Sequence, residues 1–193
     1  MNATGGPQNL EQILLDLKTK KNLSFDDICE LLFTFQFNDF DHLFQISPLD
    51  VPNESFMRIP VYHGEYVAAL KIWGINNYSA IRDHSNYDAK IKVLKGSLTE
   101  VSYRENSNFI EYDSRATART GDILVEEQAD ISSIINNSEG ISISLHVYRT
   151  TKLRLEDVRI FDTENRRIAY LSDDAKACSW NLPENSYKKI IQI

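Results

Sequence analysis

The chain has 193 residues, of which 42% are hydrophobic, 25% charged and 10% aromatic. That length and balance suit one folded domain with a single core and exclude a disordered chain. A formal net charge of −7 offers no basic face to nucleic acid, and no apolar run reaches the length of a membrane span. The expectation is a soluble protein without nucleic-acid or membrane partners, placed by default in the cytoplasm. Cys29 and Cys178 lie far apart and fit neither a metal spacing nor a disulfide framework.

Met1–Pro7 lacks both charge and an apolar run and is expected to fray. From Asn9, the positions Leu10, Ile13, Leu14 and Leu17 share one helical face, with lysines at 18, 20 and 21 suiting the C-terminal end. Ser24 and Asp27 have the spacing of a capping box for a second helix through Ile28, Leu31, Leu32 and Phe35. Asp39–Phe44 predicts a further short turn, with His42 on the surface. Pro48 and Pro52 close the helical part.

Short β-segments follow at close intervals. They are expected at 58–61, 66–73, 79–82, 90–95, 97–104, 108–113, 122–126, 132–136, 141–149, 157–162 and 167–172. Many short strands separated by Gly, Asn, Asp or Ser turns predict a closed antiparallel barrel or jelly roll, so the fold class is mainly β with a short helical N-terminal region. His63 falls in an expected exposed hairpin turn, Trp73 in the core and Arg115–Arg119 in a loop. The acidic run Glu126, Glu127 and Asp130 reads as a solvated loop. In the segment 141–148, Ile141, Ile143, Leu145 and Val147 alternate with Ser142, Ser144, His146 and Tyr148. Taken alone this is a strand with one side in solvent. Alternation also sends Arg82 and His84 to one face and Asp83 to the other.

Several of these residues together resemble a known family. Trp73-Gly74, Ser79-x-Ile81-x-Asp83-His84, Lys92-Val93-Leu94-x-Gly96, Gly121, Asn136 and Ser144-Leu145-His146-x-Tyr148 are similar to cysteine dioxygenase, a thiol dioxygenase of the cupin superfamily. The likeness runs from about Arg58 to Tyr148 and is weaker in the helical start and the Phe161-Asp162 tail. It implies a cupin-type barrel at 56–193 with a C-terminal hairpin, and residues 1–55 as a helical segment packed on it, in one structural domain. It also implies Fe(II) held by three histidines, and oxygenation of the thiol of a small thiol acid to the sulfinic acid. By the same resemblance Ser144, His146 and Tyr148 form the row that orients the phenol over the reactive centre. That turns the polar face of 141–148 toward the barrel interior. Arg58 falls where the family binds the substrate carboxylate.

The implied ligand positions hold different residues. The His-x-His pair falls on Arg82 and His84. Counted from Gly121, the second motif puts its Pro on Glu127, its second Gly on Ala129, its third ligand on Ser132 and its Asn on Asn136. A guanidinium is always protonated and has no lone pair, and Ser132 offers only a neutral hydroxyl, so His84 alone remains of the implied ligands. Carboxylates that might rebuild a site are Asp88, Glu126 and Glu127. The family's cysteine for a thioether to the tyrosine falls on Ala89. The expectation is a cysteine dioxygenase-like cupin without a competent three-histidine iron site, and with no metal cofactor at all as one outcome. Its ligand would be a small carboxylate or thiol acid met by Arg58 and by Arg82. Two alternatives stand beside it: an active metal-dependent thiol dioxygenase with an altered ligand set, and a structural module with a vestigial pocket in which a carboxylate pairs with Arg82.

Overall fold

The computed structural model describes residues 9–20, 22–107 and 109–193. The expectations for Met1–Pro7, for Lys21 and for the first residue of the segment 108–113 fall outside these. Three helices come first. α1 (Leu10–Thr19) is capped by the Asn9 side chain and buries Leu10, Ile13, Leu14 and Leu17. α2 (Phe25–Phe33) opens on the capping box: the Asp27 N–H donates to the Ser24 hydroxyl at 3.1 Å, and the Asp27 carboxylate accepts from the Ser24 N–H at 2.9 Å. α3 (Phe37–Phe44) begins two residues before the expected turn and buries Phe40. His42 is exposed on it. No helix among the described residues is long and apolar enough to cross a membrane.

The strands are β1 (Phe56–His63), β2 (Val67–Trp73), β3 (Ile81–Asp83), β4 (Ala89–Lys95), β5 (Ser97–Glu105) and β6 (Ile110–Arg119). They continue as β7 (Ile123–Glu126), β8 (Ile131–Ile135), β9 (Ser142–Tyr148), β10 (Arg159–Asp162), β11 (Arg167–Leu171) and β12 (Tyr187–Gln192). One sheet has the order β1-β2-β9-β4-β7 and the other β12-β11-β10-β3-β8-β5-β6. The fold is mainly β, two antiparallel sheets with a short helical start. Two expectations need correction. Arg115–Arg119 is not a loop but the end of β6, because Ala118 opposes Leu98 and is buried with it. β12 was not foreseen: it is an edge strand, largely exposed, and its sequence Tyr-Lys-Lys-Ile-Ile-Gln carries no clean alternation.

β9 decides how the layers are arranged. Its odd-numbered residues Ile143, Leu145 and Val147 pack with Ala68, Leu70 and Ile72 of β2 beneath the apolar faces of the three helices. Its even-numbered residues face the other way, and every residue of the strand is buried. The solvent-side reading of this strand is therefore wrong. Across the interior, Trp73, Ile91, Val93 and Leu124 of the first sheet meet Leu98, Ala118 and Ile134 of the second in one apolar cluster. Ser132, Ser144, His146 and Glu126 are buried polar residues of the same two sheets.

Two small residues hold the connection after β2. The Asn136 amide nitrogen donates to the carbonyls of Trp73, Gly74 and Gly140 at 3.0, 2.9 and 3.0 Å, tying the loop after β8 to the end of β2. Gly74 meets the preceding loop so closely that a Cβ there would lie 2.2 Å from the Pro52 carbonyl oxygen. On the outer face of β4, the Lys92 ammonium donates to the Phe33 and Phe35 carbonyls at 2.6 and 3.0 Å, closing the C-terminal end of α2.

Candidate functional site

β3 lies between β10 and β8, and its register sets Arg82 directly opposite Ser132. Asp83 points the other way, where its carboxylate accepts from the Arg159 side chain at 2.6 Å and from the Arg159 N–H at 3.0 Å. His84 follows the strand, its N–H bonded to the Asp130 carbonyl, and only 2% of it is exposed. One Arg82 nitrogen donates to His84 Nδ1 at 3.1 Å, and His84 Nε2 lies 3.1 Å from Ser132 Oγ. Glu126, the last residue of β7, brings Oε2 to 3.3 Å from His84 Nδ1 and 3.5 Å from the other Arg82 nitrogen.

The protons in this cluster can be placed. A guanidinium only donates, so His84 Nδ1 is the accepting nitrogen and the neutral ring carries its proton on Nε2, toward Ser132. Burial, and then the Arg82 charge, push the His84 pKa down to about 4, so the ring is neutral at ordinary pH. Burial alone would raise the Glu126 carboxyl, but Arg82, His84 and Lys71 outweigh it and hold the pKa below its ordinary value. Glu100 of β5, beside Ser132, moves the opposite way: burial and the Glu126 charge raise it to about 7.

These values couple stability to pH with opposing signs. The unfolded chain takes up a proton at histidine near pH 6.5 and folded His84 only near 4, so the unfolded state binds more protons between them. For His84 alone, stability is full above about pH 6.5 and falls toward pH 4 by roughly 3 kcal/mol. Buried His146 is depressed as well and adds a loss of the same sign. Glu100, raised from 4.5 to about 7, binds more protons folded than unfolded and so adds stability as pH falls through the same window. His84→Gln should lower the slope of unfolding free energy against pH in that window by nearly one proton, up to about 1.4 kcal/mol per pH unit. Denaturant melts at stepped pH measure it, and an unchanged slope would reject the assignment.

The opposite bank of the interior comes from β9 and β2. Trp73 Nε1–H donates to Ser144 Oγ at 2.9 Å, and Ser144 Oγ lies 2.9 Å from His146 Nε2. The His146 ring stacks on Tyr148 with centroids 5.8 Å apart, and Tyr148 meets Tyr87 edge-on at 5.4 Å. Burial raises the Tyr148 pKa, keeping its phenol protonated. Ala89 stands directly opposite Tyr148, so no sulfur is available there for a thioether. Lys71, not foreseen as a site residue, pairs in register with Ser144 on one side and Arg58 on the other. Burial, then the Arg82 charge, lower its pKa to about 8. Arg58 is itself exposed on the edge strand β1. No carboxylate among the described residues pairs with Lys71 or Arg58.

Other expectations are revised. Glu126 is not in a solvated loop: only 1% of it is exposed, because its register opposite Ala89 turns it inward. Asp88 and Glu127 do not join His84. Asp88 follows a turn, accepts from the Gln128 N–H at 2.9 Å and faces Arg149 at 3.5 Å, while Glu127 is exposed. His63 is exposed at the end of β1, its Nε2 2.8 Å from the Thr151 carbonyl oxygen. Cys178 lies in the segment before β12. Its thiol is raised by burial, and Arg82 and Lys71 are the charges that act on it next. Lys71 and Glu100 escaped notice because a single charged residue in a strand looks like a solvent-facing one until its partner strands are known.

A model of the family "cysteine dioxygenase type I" matches residues 2–164. The chain belongs to the cysteine dioxygenase type I family. Similar solved structures include a cupin-superfamily sugar phosphate isomerase from Silicibacter pomeroyi, with 9% identity, TM-score 0.47, and 75% of this chain and 84% of that one covered. A Schizosaccharomyces pombe Cnp3 cupin domain has 9% identity, TM-score 0.43, and coverage of 54% and 71%. An oxalate oxidase in complex with glycolate has 12% identity and TM-score 0.43. The match covers 53% of this chain and spans about half the oxidase's length, 54% of it. Membership in the cysteine dioxygenase family implies iron, and the residues present do not fit it. A histidine binds a metal through an unprotonated nitrogen, and the one such nitrogen of His84 faces the Arg82 cation. Among the described residues no three His, Cys, Asp or Glu side chains are grouped to hold a metal ion.

Proposed function

We propose that this cysteine dioxygenase-family cupin works without the family's iron and binds a small carboxylate or thiol acid in its barrel interior. The observation that carries the reading is the Arg82–His84 hydrogen bond, which uses the lone pair a metal would need. The charge balance supports an anionic ligand. Arg58, Lys71 and Arg82 act together on this region, against Glu126 and a half-titrated Glu100. A buried cation lacking a carboxylate partner is costly, and an incoming anion relieves that cost. A surface hollow of about 410 Å³ borders Tyr87, whose ring meets Tyr148 edge-on.

A second reading is favoured by the Arg82–Glu126 contact: with Arg82 already met by a carboxylate, the interior would serve only as structure. Elemental mass spectrometry, oxygen uptake with cysteine, and calorimetric titration with propionate separate these. Under the proposal, iron stays below about a tenth of an equivalent per chain, cysteine consumes no oxygen, and propionate binds saturably. Stoichiometric iron with oxygen uptake would overturn it in favour of an active dioxygenase with an altered ligand set. Absent iron and absent binding would overturn it in favour of the structural module.

A further inference from the structure

Lys71 is the interior cation that no part of the cluster around Arg82 uses. It sits on the inward face of β2, half-buried, its ammonium nitrogen 5.3 Å from the Trp73 ring centroid and 5.8 Å from that of Phe56. No hydrogen bond or ion pair to Lys71 forms among the described residues. Of the charges that act on it Arg82 and Arg58 are positive and Glu126 negative, with burial and Arg82 outweighing Glu126. A lysine among apolar rings and like charges gives up its proton readily and becomes a nucleophile near neutral pH.

Next to it on the same face is a second unmet group. His146 is fully buried and its Nδ1 has no partner. Trp73 Nε1–H donates to Ser144 Oγ, and the same oxygen lies 2.9 Å from His146 Nε2. A buried ring nitrogen without a partner is costly in either tautomer. Lys71 lies opposite Ser144 and His146 opposite Ala69, so the two are diagonal neighbours, with only a small side chain between strands at that level. The face thus combines an amine free of any ion pair, a buried imidazole nitrogen without a partner, and an exposed arginine directly across from the amine.

We infer that Lys71 is a covalent attachment point for a small 2-oxo acid, whose carbonyl condenses with the amine while Arg58 holds the carboxylate. The amine lone pair adds to the carbonyl carbon, and the adduct then loses the oxygen as water together with both amine hydrogens. A C=N bond replaces the C=O bond and no electrons are exchanged. In the tautomer with its proton on Nδ1, His146 donates to the oxygen as negative charge develops on it. This rests on the interior being a small-carboxylate site, and it adds covalent chemistry at a residue that reading does not require.

The test treats the wild-type protein at pH 8 with pyruvate and sodium cyanoborohydride, then maps modified lysines by peptide mass spectrometry. Lys71 should be reductively alkylated at least about tenfold faster than exposed Lys18 and Lys176, since a lowered pKa leaves far more free amine. Excess propionate should protect it, and Arg58→Met should raise the pyruvate concentration needed for half-saturation. Alkylation of Lys71 no faster than that of Lys18 and Lys176 would overturn the inference. If calorimetry still shows propionate binding, only the covalent step fails; if propionate does not bind either, the carboxylate-site reading fails with it.

Discussion

Replacing Arg82 and Ser132 together by histidine should turn this protein into an iron binder. In Arg82→His/Ser132→His the guanidinium that occupies the His84 lone pair is gone, and two new imidazoles project from paired positions of β3 and β8. Such nitrogen donors suit ferrous iron, with open positions left for other molecules. The double variant should take up about one equivalent of Fe(II) under anaerobic conditions, at least about tenfold more than the unsubstituted chain. Arg82→His alone should bind weakly, because Ser132 still contributes only a neutral hydroxyl. Elemental analysis after gel filtration reads the result. Equal iron in the wild-type chain and the double variant would show that the Arg82 contact does not block the site.

The second large effect is on stability. Glu126 is the only carboxylate within ion-pairing distance of Arg82 among the described residues, and the Arg82 side chain is only 13% exposed. Glu126→Ala therefore strands a buried cation and should cost about 3–5 kcal/mol in guanidinium melts. Removing both charges by Arg82→Met/Glu126→Leu should restore stability to within about 1 kcal/mol of the starting protein, since a buried pair is often replaceable by apolar residues of similar volume. The two outcomes form a cycle: a large single effect and a small double effect mean the charges are sealed together. A single effect under about 1 kcal/mol would mean that water reaches them.

The layered fold was legible because the strongest local signals agreed with the final packing. The capping box at Ser24 and Asp27, the apolar stripe of α1 and the alternation of β9 each recur in the structure at the residues named. Alternation alone misplaced the polar face of β9 in solvent, since the pattern is the same whether that side meets water or a polar interior. Only the family resemblance turned it inward, where the structure has it. The site was half legible. Arg82, His84 and Ser132 are indeed adjacent, yet the side chain that completes the cluster, Glu126, looked like part of an acidic surface loop. Lys71 gave no signal at all, because what marks it is the absence of a partner on neighbouring strands.

The two uses of β9 also bear on how such a protein can diverge. Ile143, Leu145 and Val147 answer to the helices, whereas Ser144, His146 and Tyr148 answer to the interior, and the strand's backbone insulates one set from the other. Changes in chemistry can accumulate on the inward side while the outward side keeps the helices seated. A scaffold of this kind can lose a reaction without losing its shape, and the interior is then free to be refitted for a different molecule.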